Sequence, residues 1–323
     1  MPKNWKRIYN EDCITGAKTY FKDNSVDLIL TDPPYGIEGQ SLHKHYNRDE
    51  NNVLDGYIEV AQEDYEKFSG EWIEQAERVL RPGGSIYIVS GYTNLRYILN
   101  ALANTSLEEV NHIIWKYNFG VYTKRKFISS HYHILFYQKP GGKRTFNKYV
   151  RYGSDEYFLD KKSMNYSDRE DVWSIKRDFK KGQVKNKNQL PAELLKKIIL
   201  YSIDEGDRVC DFFLGGFGTA KVAIGLGRKI AGFEKSKIAY KHNITGMDKI
   251  KPGELLEFLR KPKGLGPKNS GKRWLKNDIH KVEEQFDNYL KDGLTKSAAI
   301  DALSKKYQRG KFGILNVLKK SGR

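Results

Sequence analysis

Asp32-Pro33-Pro34-Tyr35 closes the apolar run Val26-Asp-Leu-Ile-Leu30, which reads as a buried strand. Taken alone, the tetrapeptide is a proline turn at a strand end. Its residue types allow more. An amine on a heteroaromatic ring is a poor nucleophile, because its lone pair is delocalised into the ring. Acceptors aimed at its two hydrogens localise that pair. Asp32 offers a carboxylate oxygen and Pro33 a backbone carbonyl, while Pro33 and Pro34 stiffen the turn that aims them. Tyr35 offers a flat face on which an extruded base can stack. A turn at the carboxyl end of a strand also lies where open α/β sheets bind ligands.

A second constellation lies downstream. A strand over 207–213 runs into Asp211-Phe-Phe213-Leu-Gly215-Gly216-Phe217-Gly218-Thr219 and then a helix to Leu226. Glycines let a backbone turn sharply and come close to a ligand. The next strand, 229–233, ends at Glu234, where an acid can bind ribose hydroxyls. Together these suit a cofactor that carries a nucleoside. By itself the turn reads equally well as a tight strand–helix junction without ligand. It is not a phosphate loop, since no lysine precedes Thr219, and it departs from GxGxxG, which disfavours nicotinamide cofactors. His43-Lys44-His45 lacks further ligands at metal-binding spacing, so no metal site is expected. His131 and His133 read as packing or hydrogen-bonding residues.

The elements around these motifs alternate. The pattern predicts a short strand over 7–11, helices over 14–21, 65–80 and 95–102, and strands over 85–90, 110–115 and 131–137. A helix over 191–201 precedes the glycine loop. The polar stretch 36–55 reads as a mobile lid. Strands and helices in this order predict an α/β, doubly wound, mainly parallel sheet with an antiparallel edge hairpin. Three further helices are expected at 279–290, 296–306 and 313–319. The formal net charge is +17, and it is segregated. Residues 139–187 hold 14 Lys/Arg against 7 Asp/Glu, and residues 263–323 hold 15 against 6, so the remainder is nearly neutral. This points to a catalytic body with basic surfaces for a polyanion. The expected organisation is a catalytic and cofactor-binding domain (1–138 and 187–250), a recognition region (139–186), a linker (251–268) and a basic helical tail (269–323), read as a helix-turn-helix, a plain basic tail or a dimer contact. No apolar run is long enough to cross a bilayer, the start of the chain lacks an apolar signal core, and Cys13 and Cys210 read as reduced, packed thiols. A cytosolic protein is expected.

These residues, in this order, resemble the β-class DNA amino-methyltransferases, which use S-adenosyl-L-methionine. In that class the catalytic motif precedes the cofactor motif, with the recognition region between them. The resemblance spans about residues 5–248 and includes Asn10-Glu-Asp12-Cys13, Arg78-Val-Leu-Arg-Pro-Gly-Gly84, Ile113-Ile-Trp115-Lys116, Lys187-Asn-Gln189-Leu-Pro191 and Leu226-Gly-Arg-Lys-Ile-Ala-Gly-Phe-Glu234. It implies Asp32, Pro33, Pro34 and Tyr35 as catalytic. It implies Asp12, Cys13, Asp32, Lys187, Gln189, Asp211, Phe213, Gly215, Gly216, Thr219 and Glu234 around the cofactor. For double-stranded DNA we expect contacts from Lys124, Arg125, Lys126, Lys143, Arg144, Arg151 and Arg177. The family loop reads DPFxGSGTT; here Phe212 stands for its Pro, Phe217 for its second Gly and Gly218 for its first Thr, which leaves Gly218 to supply flexibility displaced from 217. Asp at the first motif position favours adenine N6. Cytosine N4 is the alternative, and a non-catalytic DNA-binding protein with a degenerate loop is the second. The sequence leaves a restriction partner and a homodimer open.

Overall fold

Eight strands form one sheet in the order β1-β8-β7-β2-β3-β5-β4-β6. The computed structural model describes residues 6–36, 60–117, 123–147, 169–177, 189–256, 269 and 274–323. Most of the expected lid, Lys187, Arg151, most of the linker and much of 139–186 lie outside them. β1 (Lys6–Tyr9), β8 (Lys229–Phe233), β7 (Arg208–Asp211), β2 (Val26–Thr31) and β3 (Leu80–Ser90) pair in parallel. β5 (His131–Gln138) is antiparallel to both β3 and β4 (Glu108–Lys116).

Both faces of the sheet are covered. α1 (Cys13–Tyr20), α2 (Tyr65–Val79) and α3 (Leu95–Ala103) bury one face, with Trp72, Ile73 and Ala76 of α2 against Ile29, Ile86 and Ile88 of the strands. The alternate strand residues Leu28, Leu30, Tyr87 and Val89 are buried on the other face, where the Ser202 hydroxyl of α4 (Ala192–Ser202) bonds the Tyr87 hydroxyl. α5 (Gly218–Gly225) packs on α4 and on β7 and β8. Burial on both faces explains why the central strands are continuous apolar runs rather than alternating ones. Cys13 and Cys210 are buried free thiols in this body. No helix of the described residues is long and apolar enough to cross a membrane.

The structure departs from the expected elements in four places. Arg81-Pro-Gly-Gly84 does not separate helix from strand. It lies inside β3 as an irregularity opposite Val26 and Leu28, held by paired backbone bonds between Gly83 and Lys139 and between Lys139 and Gly84. The glycine loop begins at Phe212, because the Asp211 carboxylate already caps the backbone N–H of Phe213. α6 (Lys237–Ile244) was not expected: among its residues only Ala239 is buried, so it has no apolar stripe, although Ser236 does cap it. The β4–β5 hairpin is not the sheet edge either. β6 (Val172–Ser174), from the basic insertion, pairs in parallel outside β4.

The insertion is therefore partly built into the body. Asn147 donates to the carbonyls of Leu200 and Ile203 at the end of α4, satisfying acceptors that a helix end leaves open. Trp173 of β6 is buried, donates from Nε1 to the Glu170 carbonyl at 2.6 Å, and carries the Lys197 ammonium 4.1 Å from its ring centre. The chain divides into two compact units, Met1–Leu255 and Leu256–Arg323. In the second, α7 (Lys276–Lys291), α8 (Lys296–Lys306) and α9 (Lys311–Lys320) enclose Val282, Phe286, Ala299, Leu303, Ile314, Val317 and Leu318. Trp173→Ala removes a buried aromatic and a cation–π contact, and is expected to cost about 3 kcal/mol of stability, read by urea denaturation. A loss below about 1 kcal/mol would show that the insertion is not structurally joined to the sheet.

Candidate active site

β8, β7 and β2 are neighbours, and their carboxyl ends bring Glu234, Asp211 and Asp32 to one region. The link between β2 and β7 is a side-chain bond. Thr31 Oγ1 donates to Asp211 Oδ1 at 2.8 Å and accepts from the Phe212 N–H at 3.2 Å, all of it buried. Asp211 also accepts from the Phe213 N–H at 3.0 Å and from the Thr219 side chain.

The Asp32-to-Tyr35 turn is held from outside by residues that the sequence reading did not single out. The Tyr65 hydroxyl at the start of α2 donates to the Pro34 carbonyl at 2.6 Å. Asn94 Nδ2, just before α3, donates to the Tyr35 carbonyl at 2.6 Å, and Gln62 Nε2 in turn donates to Asn94 Oδ1. Among the described residues no donor reaches the Pro33 carbonyl, which is the acceptor assigned above to an incoming amine. The Tyr35 hydroxyl donates to Asp32 Oδ1 at 2.6 Å.

Beside the turn stands an aromatic wall. Tyr35 stacks on Tyr132 at 5.6 Å, and Tyr132 stacks on Trp115 at 5.4 Å with Tyr117 at 5.3 Å. Arg177 lies 5.2 Å from the Tyr132 ring centre and donates to its hydroxyl at 2.8 Å. Arg177 was expected on DNA; the structure places it in this wall, where it acts electrostatically on Asp32. Arg144, also expected on DNA, lies over the rings of Phe136 and Phe146. Lys143, Lys124, Arg125 and Lys126 are exposed, and Phe127, next to Lys126 in the chain, is almost fully exposed.

Burial raises the Asp32 carboxyl to about 8; the Tyr35 hydrogen bond and the Arg177 charge oppose the rise, and Asp211 adds to it. Burial likewise raises Asp211 to about 6 and Glu234 to about 7. Glu234 accepts from the Ser236 N–H at 2.7 Å. Next to it, Asn10 donates to the Glu234 carbonyl at 2.7 Å, and Lys235 pairs with Asp12 at 3.1 Å. Asp12 caps α1 through the Ile14 N–H. The Cys13 side chain is buried in the core, so Cys13 can offer this region only its backbone. Asp211 acts electrostatically on both Asp32 and Glu234, so the three carboxyls share one region. They suit a ligand with hydroxyl donors and a positive charge.

The loop itself resolves the expected weakness. Gly218 does not carry displaced flexibility. Phe217 itself adopts the left-handed conformation (φ 59°, ψ 27°), the region that glycine favours. Its ring is fully buried, edge-on to Tyr240 at 6.1 Å. Gly215 is left-handed as well, and Lys221 Nζ donates to the Gly216 carbonyl at 3.0 Å. Gly218 serves close approach instead: a Cβ there would meet Gln189 Nε2 at 3.2 Å, so Gln189 and the loop do come together. Gly232 of β8 is required too, since a Cβ would sit 2.3 Å from the Asp211 carbonyl. Phe213 faces away, its ring against Trp72 at 5.4 Å and Phe68 at 5.7 Å.

Known proteins resemble this chain in sequence and in fold. The sequence profile of the family described as DNA methylase (N6_N4_Mtase) matches residues 26–245. DNA adenine methyltransferase YhdJ of Escherichia coli K12 is 32% identical, over 75% of this chain and 83% of its own. Type II methyltransferase M.HpaI of Haemophilus parainfluenzae is 32% identical, over 72% of this chain and 71% of its own. The crystal structure of the M1.HpyAVI–SAM complex shares the fold, with a TM-score of 0.53 and 22% identity over 74% of this chain and 98% of that one.

Phe217→Gly relieves about 1–2 kcal/mol of left-handed backbone cost but gives up about 3–5 kcal/mol of ring burial. Chemical denaturation is expected to show a net loss of roughly 2–3 kcal/mol; a stabilised variant would mean that the ring is not an anchor.

Proposed function

This chain belongs to the DNA methylase family, and we propose that it transfers the methyl group of S-adenosyl-L-methionine to the N6 amine of adenine in duplex DNA after the base is turned out of the helix. The observation that carries this reading is the placement of Asp32 and the Pro33 carbonyl at the end of β2, one strand from the Asp211 loop and beside an aromatic wall. The relative named as a DNA adenine methyltransferase and the aspartate at the first motif position support adenine as the base. A cytosolic setting and a cognate restriction endonuclease belong to the same reading, supported by relatives that carry the Type II methyltransferase name.

The cofactor fits the residues present. Glu234 holds acceptors for ribose hydroxyls, Asp211 and the Gly215–Thr219 loop flank its amino-acid part, Gln189 closes on the loop, and the start of α1 at Asp12 and Cys13 borders Glu234. Lys187 completes the set implied by the resemblance but lies outside the described residues. When bound, the cofactor supplies an electrophilic methyl group on a cationic sulfonium.

The remaining work falls to the chain. Tyr35 and its neighbours offer ring faces to the extruded adenine. Asp32 and the Pro33 carbonyl accept the two amine hydrogens and localise the nitrogen lone pair toward the methyl carbon. Forming the nitrogen–carbon bond would break the sulfur–carbon bond and leave a neutral thioether, so the positive charge would pass to the nitrogen, which must lose a proton, and Asp32 is the adjacent acceptor. Its raised pKa makes it basic enough for that task. Tyr65 and Asn94 keep the turn from yielding during this step. Lys124, Arg125, Lys126, Lys143 and Arg151 are proposed for the phosphates, whereas Arg177 belongs to the base pocket.

Incubating unmethylated duplex DNA with methyl-labelled cofactor, followed by nucleoside mass spectrometry, should give N6-methyladenine. N4-methylcytosine would overturn the base assignment, and no labelled nucleoside would overturn the reaction. Asp32→Ala is expected to lower transfer by about a thousandfold or more while calorimetric cofactor binding persists, since an acceptor and a proton site are both lost. Because burial raises the Asp32 carboxyl to about 8, its charged, accepting form is depleted as pH falls. kcat/KM should therefore drop about tenfold per pH unit below that value and level off above it. Arg177→Gln removes a charge that favours the carboxylate, so the inflection should move to higher pH. A profile that is flat from pH 6 to pH 9 in both proteins would contradict the role of Asp32.

A further inference from the structure

The second compact unit, Leu256–Arg323, lies outside the 26–245 family match, and its charge is arranged rather than diffuse. Residues 276–292 along α7 carry five acids against three lysines, whereas residues 295–323 along α8 and α9 carry eight basic residues against the single acid Asp301. Part of each set is used internally. Arg323 pairs with Asp287 and Glu283, Lys311 with Asp301, and Lys306 donates to Gln285. Lys296, Lys305, Lys319 and Lys320 are exposed and form no ion pair among the described residues. α9 turns Ile314, Val317 and Leu318 into the unit's core, which leaves Asn316, Lys319 and Lys320 outside.

The join between α8 and α9 is rigid. It is the four-residue turn Tyr307-Gln308-Arg309-Gly310, with Gln308 in the left-handed region. Ser304 Oγ donates to the Arg309 carbonyl at 2.6 Å, and Asn269 donates to the carbonyls of Tyr307 and Gln308. Arg309 is buried with its guanidinium 4.0 Å from the Trp274 ring centre, so this cation is structural. Thr295 caps α8 through the Ala298 N–H. Two helices joined by a short fixed turn, braced by a third helix and basic only on the outer pair, match the requirements of a helix that lies against duplex DNA.

We propose that α8 and α9 form a second duplex-DNA-binding surface, separate from the catalytic body, in which Lys296, Lys305, Lys319 and Lys320 meet phosphates and α9 presents Asn316 toward a groove. It holds the enzyme on DNA of any sequence and raises the local concentration of target bases, while the catalytic body selects the base. The proposal stands apart from the methyl-transfer reading, because it uses none of that site's residues.

The test is Lys319→Glu/Lys320→Glu in the full chain, with the Lys319→Gln/Lys320→Gln pair as a milder variant that preserves the helix. Binding to a non-target duplex is followed by fluorescence anisotropy across a salt series. We expect at least a tenfold loss of affinity near ~0.1 M salt for the Glu pair and a smaller loss for the Gln pair. The slope of log affinity against log salt should fall by about two, from two phosphate contacts at about 0.9 each. kcat at saturating target DNA should be unchanged, which separates this result from a failure of the catalytic assignment. Unchanged affinity and slope in both variants would overturn the proposal. So would a loss of self-association in sedimentation with DNA binding intact, which would assign this face to a second copy of the chain.

Discussion

The Thr31–Asp211 hydrogen bond is the contact on which both halves of the site depend. Thr31 is the last residue of β2, directly before Asp32, and Asp211 is the last residue of β7, directly before the glycine loop. One hydroxyl therefore ties the Asp32-to-Tyr35 turn to the glycine loop. The bond is buried, so an unpaired partner would bear the desolvation cost of a polar group without compensation. In-line transfer tolerates little error in the distance between nucleophile and methyl carbon. A side-chain link between adjacent parallel strands is a stiffer way to hold that distance than any loop could be.

The second constraint is electrostatic. Asp32, Asp211 and Glu234 are crowded at three neighbouring strand ends, and burial raises all three above ordinary carboxylate values. Such a cluster is unfavourable by itself, and in the proposed reaction a sulfonium cation and hydroxyl donors would relieve it. The same burial that opposes ionisation of Asp32 makes it a better proton acceptor. The cost in the resting protein and the basicity that the proposed reaction uses thus have one origin, the burial of these carboxyls at the strand ends.

The basic insertion is tied into this same region. It sends β6 to the sheet and Arg177 to the aromatic wall, so part of it belongs to the body. Arg177 is held among Trp115, Tyr117 and Tyr132 while its charge favours the ionised form of Asp32.

Much of this was legible in the residues alone. Apolar runs ending in Asp-Pro-Pro and in Asp211, the acid after β8 and the order of the motifs determine the α/β class, the family and the position of both motifs at strand ends, because each rests on a local pattern or on linear order. Other features depend on residues far apart in the chain. Tyr65 and Asn94 carry no motif, and their roles exist only because α2 and the β3–α3 junction fold back onto the turn. The paths of Arg144 and Arg177 follow from aromatic rings on β5 and β4, which a count of charges cannot reveal. β6 was hidden because three residues at an edge show no periodicity, and α6 because it buries so little. Phe217 is the sharpest case. Its type alone suggested a degraded loop, since a left-handed phenylalanine is costly. Only the packed structure shows a buried ring anchored beside Tyr240, whose burial offsets the backbone cost and leaves the loop in the conformation that glycine would otherwise supply.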